Sequence, residues 1–114
     1  MKYMLLIAVD PANLPADQAA GEQLMKDYNE FTQRIKDSGE WVAGDQLAGN
    51  DTATTVRVRD SKTAITDGPF AETTEQLGGF YIVDVPNLDR ALELAALIPN
   101  ARDGVIDVRP IVVM

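Results

Sequence analysis

Cysteine and histidine are both absent from the 114 residues. The first absence removes disulfides, thiol nucleophiles and cysteine-based metal sites. The second removes the one side chain that titrates near neutrality unperturbed, which is also the commonest metal ligand. Proton transfer must therefore fall to Asp, Glu, Lys or Tyr with an environment-shifted pKa, or to a chain terminus. Basic residues are scarce as well: ten Lys and Arg face eighteen Asp and Glu, a net charge of −8. Such a field repels phosphate, and nowhere do four basic residues cluster, so neither nucleic acid nor an anionic membrane is an expected partner. No apolar run approaches the ~20 residues of a membrane span. Paired carboxylates alone do not make a metal site, so no metal and no cofactor is expected.

What remains is ordinary for a globular chain: 46% hydrophobic and 25% charged residues. The length predicts a single domain over residues 1–114. Folding should bury roughly 65% of the unfolded surface, enough for a core without disulfides. The apolar start, Met1 to Val9, looks like a short signal peptide only superficially. It has a single Lys, lacks a clean cleavage site and turns acidic at Asp10, so it reads as a strand in a cytoplasmic protein.

That first strand, residues 2–9, is continuously apolar rather than alternating. Tyr3, Leu5, Ile7 and Val9 point one way and Met4, Leu6 and Ala8 the other, the pattern of a strand covered on both faces. After the punctuation of Asp10 to Pro15, a helix is predicted from about Ala16 to Ser38. Pro15 or Asp17 suits its first turn, Gly39 its C-terminal cap, and Leu24, Tyr28, Phe31 and Ile35 its buried stripe. Trp41 to Leu47 reads as a strand. Thr54–Arg59 and Lys62–Asp67 read as a hairpin turning at Asp60-Ser61, and Gly79–Val85 as a further strand. A second helix opens at Pro86-Asn87, with Asn87 as N-cap and Leu88, Ala91, Leu92 and Ala95 as its stripe, and stops at Pro99. Gly104–Val113 is the last strand.

Two βαβ halves with antiparallel hairpins between them point to an α+β, ferredoxin-like sandwich: an antiparallel sheet with two helices on one face. The other face is then bare. Because the first strand is apolar on both sides, a homodimer packed sheet to sheet, forming a dimeric α/β barrel, is the simplest closed arrangement.

The core Asp67-Gly68-Pro69-Phe70, its extension through Glu72 and Gln76-Leu77-Gly78-Gly79, the opening Met1 to Leu6, Ala53 to Arg57, and the closing Val108-Arg109-Pro110 together resemble the YCII-related family, in its DGPF subgroup. The resemblance spans nearly the whole chain and implies a dimeric α/β barrel. It further implies a bacterial, cytosolic protein of no agreed activity, whose gene often lies beside those of extracytoplasmic-function sigma factors. Better-understood members of the wider family imply a His and Asp pair for proton abstraction. With no His in this chain that dyad is absent, and only an aspartate-type role transfers.

Among residues that carry chemistry, Asp67 stands out. Desolvation at a strand end would raise its pKa and fit it for general acid or base work. Its other reading is structural, a carboxylate that accepts the N–H groups of the Gly68-Pro69 turn. Gly68 and Pro69 are turn-formers with a secondary role as ligand contacts, and Phe70 is a core or interface plug or a substrate platform. Arg57 and Arg109 suit either an anion clamp or ion pairs with Asp67, Asp84 or Asp107. Tyr3, Tyr28 and Tyr81 would line a pocket between helix and sheet or pack the core, and Glu72, Glu75 and Gln76 would reach into a cleft or form a solvated short helical turn. Three functions stay open at this point. One is a small lyase or isomerase with Asp67 as base, Arg57 or Arg109 holding a small organic acid, and Tyr81 orienting it. The others are a non-catalytic metabolite-binding or accessory dimer, and a structural dimer that docks another protein.

Overall fold

The computed structural model describes all residues, Met1–Met114. Strands β1 (Lys2–Val9), β2 (Trp41–Gln46), β5 (Gln76–Asp84) and β6 (Val105–Pro110) form one antiparallel sheet in the order β2-β5-β1-β6. Helix α1 (Gln18–Asp37) links β1 to β2 across β5, and α2 (Leu88–Leu97) links β5 to β6 across β1. This is the ferredoxin-like sandwich. Strands β3 (Thr54–Arg59) and β4 (Lys62–Asp67) form a separate two-stranded hairpin inserted between β2 and β5.

Local chemistry explains the boundaries. Asp17 caps α1, its carboxylate accepting from the Ala20 N–H at 2.8 Å, and Asn87 caps α2 by accepting from Arg90 N–H at 3.0 Å. Gly39, at φ 81°, turns the chain out of α1 in a conformation that costs other residues dearly. The hairpin turns at Asp60 and Ser61, both left-handed with φ of 52° and 62°, the geometry that matches strand twist in a two-residue loop. The fifth strand begins earlier than expected, at Gln76, because Ala8 and Val9 continue past an irregularity to pair with Leu77 and Gln76. The last ends at Pro110, where pairing with Tyr3 ends the ladder.

The core lies between the helices and one sheet face. Tyr3, Leu5 and Ile7 of β1 and Tyr81 and Val83 of β5 meet Phe31 and Ile35 of α1 and Ala91, Leu94 and Ala95 of α2. The stripe of α2 corrects the sequence expectation. Leu88 and Leu92 are about half exposed, and the buried line is Ala91, Leu94, Ala95 and Ile98. Leucines ring most of this short helix, and the buried line is the one that lies opposite the polar arc of Asp89, Arg90 and Glu93.

The opposite sheet face carries Met4, Leu6 and Ala8 of β1, Phe80 and Ile82 of β5, and Ala43 of β2 in register beside them. No element packs on it. The molecule measures 47 × 43 × 18 Å, the thickness of one helix layer and one sheet layer. Its radius of gyration, 16.0 Å, exceeds the roughly 13 Å of a compact chain this long. Only 15 of 114 residues are buried, which fits one covered sheet face rather than two. No helix is long and apolar enough to cross a membrane.

Candidate functional site

A cleft of about 650 Å³ opens between the first half of α1 and the neighbouring ends of β2 and β5. That is within the range of small-molecule sites. Five separate segments build it: Ile7 to Pro15, Gly21 to Thr32 of α1, Trp41 to Gly49 of β2 and its loop, Gln76 to Tyr81, and Asn100. Leu24, Met25, Trp41 and Leu77 make much of the wall apolar.

Gly44 shapes the floor. A Cβ there would stand 2.8 Å from Tyr81 Cδ1 and 3.1 Å from Trp41 Cζ3, so any side chain would collide with the aromatic wall. Tyr81 in turn meets Trp41 edge-on, with ring centroids 6.0 Å apart, and Phe31 likewise at 5.2 Å. Lys36 lies 4.7 Å over the Trp41 ring.

The polar groups at the back of the cleft are paired with one another. The Tyr28 hydroxyl donates to Asn100 Oδ1 at 2.6 Å, and Asn100 Nδ2 donates to Asp103 Oδ1 at 3.0 Å. Tyr81 and Thr32 share a hydroxyl–hydroxyl bond of 2.7 Å. Burial raises the pKa of Tyr28 to about 12, and burial raises that of Tyr81 also. Both phenols are therefore neutral across the physiological range. They act as hydrogen-bonding groups, not as bases. Asp45 is the one ionisable carboxylate among the lining residues. The register that turns Gly44 toward Tyr81 turns the Asp45 side chain toward the opposite sheet face. No Lys or Arg lines the cleft.

Of the residues singled out in the sequence, Tyr28, Gln76 and Tyr81 line this cleft. Asp67 closes β4 opposite Thr54, is exposed rather than desolvated, and accepts no hydrogen bond. The turn after it is held without its carboxylate. The Gly68 N–H donates to Ala53 O at 2.8 Å, and Thr55 Oγ1 donates to Gly68 O at 2.7 Å. Gly68 itself takes φ 100°, which few other residues adopt, while Pro69 beside it is partly buried. Phe70 is 82% exposed, so it plugs no core within the protomer.

The two arginines do not converge. Arg57 sits in the hairpin opposite Ala64. Arg109 lies on the bare face of β6, where its guanidinium grips Asp107 through Nε and Nη2, the latter at 2.8 Å from Oδ2. The Arg109 guanidinium holds the Asp107 carboxyl below its usual pKa. Gly44, Thr32 and the Asn100 partner of Tyr28 escaped the sequence reading. A glycine inside the strand Trp41 to Leu47 was the available signal, since glycine in a strand marks a close approach.

Comparison with known proteins agrees with this architecture. The chain is 37% identical over 92 residues to an uncharacterised protein of Rhizobium meliloti (strain 1021), covering 79% of this chain and 74% of that one. Among solved structures it is similar to the 5-chloro-2-hydroxyhydroquinone dehydrochlorinase of Burkholderia phenoliruptrix AC1100 in complex with 2,5-dihydroxybenzoquinone. The TM-score is 0.59 at 12% identity, covering 96% of this chain and 92% of that one, a likeness of fold. The YCII-related domain profile matches residues 1–114, and the chain therefore belongs to the YCII-related family.

Proposed function

We propose that the protein binds a small, neutral, planar metabolite bearing a hydroxyl group in the cleft between α1 and the sheet, as a homodimer paired through its bare sheet faces. The assignment to the DGPF subgroup, and an accessory role beside extracytoplasmic-function sigma factors, belong to the same reading. One observation carries it. The cleft walls are largely aromatic and aliphatic, the polar groups of Tyr28, Thr32, Tyr81 and Asn100 at their back are already paired, and no cationic side chain is there to hold an anion. A flat ring fills such a space with little desolvation penalty. The Tyr28 oxygen, which donates to Asn100, keeps lone pairs free to accept from a ligand hydroxyl.

Trp41 is the only tryptophan and lines the cleft, so its fluorescence reports occupancy. Titration with a series of neutral hydroquinones should give saturable quenching. A linear, non-saturating response across that series would remove the reading.

A second reading is a small lyase or isomerase with Asp67 as base. It is supported by the fold likeness to a dehydrochlorinase whose complex holds a dihydroxybenzoquinone. It requires the exposed Asp67 to reach a bound substrate. Turnover of chlorinated hydroquinones or unsaturated acids, lost in Asp67→Ala with melting unchanged, would favour it over simple binding.

A further inference from the structure

The β3–β4 hairpin shares no ladder with the main sheet and packs substantially only on itself, yet it is not built for solvent. Val56 pairs across from Ile65 and Val58 from Thr63, placing an apolar stripe along one face. Val56, Val58 and Ile65 are 60, 56 and 70% exposed. An isolated two-stranded hairpin is marginal in water, and a bare apolar stripe on it is an aggregation hazard. The other face carries Arg57, Arg59 and Lys62, three of the chain's ten basic residues, and none is ion-paired within the chain. Arg59 sits directly opposite Lys62, a like-charge pairing that is unfavourable unless something acidic neutralises it.

We infer that this hairpin is an intermolecular arm: its apolar stripe seats on a second copy of the chain, and its basic face meets that copy's acidic surface. The inference rests on the homodimer described above and extends it to a segment outside the sheet. Charge complementarity selects the occupant. The hairpin, residues 54–67, carries three basic and two acidic residues, a net +1 against −9 on the remainder of the chain, so another copy supplies the excess acid, including Asp45 near the bare sheet face. Area agrees. Four sheet strands and two hairpin strands, spaced about 4.8 Å and about 20 Å long, present on the order of 600 Å² per copy, near the ~800 Å² per partner of a stable interface.

Light scattering tests this on the whole chain. At micromolar concentration the wild type should show twice the 12.4 kDa chain mass. The double variant Val56→Lys/Ile65→Glu should fall to the single-chain mass with unchanged far-ultraviolet circular dichroism, because the two new side chains face each other across the hairpin with opposite charge and keep its pairing. Met4→Lys, on the bare sheet face, serves as the reference that also dissociates. If Met4→Lys dissociates and the double variant keeps the doubled mass, the arm is refuted while sheet pairing stands. A wild type of single-chain mass refutes both. Amide exchange in the wild type gives a readout that does not depend on a variant folding. Protection across residues 54–67 should rise with protein concentration, and concentration-independent exchange there overturns the inference. Absence of saturable Trp41 quenching in a protein of doubled mass would count against the ligand reading alone.

Discussion

The two faces of β1 have nearly the same composition and opposite fates. Tyr3, Leu5 and Ile7 are 4, 0 and 6% exposed beneath the helices, whereas Met4, Leu6 and Ala8, equally apolar, remain half-buried on a sheet face that nothing covers. Hydrophobicity at a position says that burial is favourable there. It does not say whether the same chain supplies the cover. The covered face is finished by local devices: caps on both helices, the α2 stripe, and the Glu40–Arg90 pair that ties α2 to the turn between α1 and β2. The bare face has none of these, only shading by neighbouring strands and the Asp107–Arg109 pair at its margin.

The largest expected effect sharpens that contrast directly. Leu5→Ala removes a fully buried side chain and should cost about 3 kcal/mol of protomer stability, against about 1 kcal/mol or less for Leu6→Ala one residue away. Urea unfolding at concentrations low enough to keep the chain dissociated separates the two. Equal costs would mean that the faces are not physically different.

A middle-sized effect probes the covered side where it opens into the cleft. Gly44→Val drives a branched side chain against Tyr81 and Trp41 and should cost about 2 kcal/mol while abolishing ligand quenching of Trp41. Unchanged melting and unchanged quenching would show that the aromatic wall yields freely.

The smallest effect concerns pH. Arg90 donates two hydrogen bonds to Glu40, at 2.7 and 2.9 Å, and this pairing holds the Glu40 carboxyl below its ordinary pKa of 4.5. A carboxyl depressed in the folded state adds stability that is fully present above that ordinary value and is lost as pH falls through the lower folded one. Melting temperature should therefore fall less steeply on acidification in Glu40→Gln than in the wild type, with the difference confined below about pH 5. Parallel curves would remove Glu40 from the devices that finish the covered side.

Much of the fold was legible because it rests on period and punctuation. The stripe Leu24, Tyr28, Phe31, Ile35 set the inner face of α1, Asn87 marked the start of α2, and Asp60-Ser61 marked the hairpin turn. The face of α2 was less legible, since Leu88, Leu92, Leu94 and Leu97 ring the helix and only the polar arc of Asp89, Arg90 and Glu93 points away from the buried line. The site was legible least. Asp67 to Phe70 is a motif contiguous in sequence, so it drew the chemistry toward itself, and in the fold it ends an exposed hairpin. The cleft joins side chains from Ile7 to Asn100 that only the tertiary structure brings together. Tyr81 links the two readings, because its strand position already turned it toward the helices.

The central claim is that the bare sheet face exists to be covered by a second copy. Sedimentation equilibrium of the unmodified protein across the micromolar range tests it most directly. The account predicts a mass of twice 12.4 kDa that falls toward the single chain only on strong dilution. A single-chain mass throughout, in a protein that stays in solution, would contradict it.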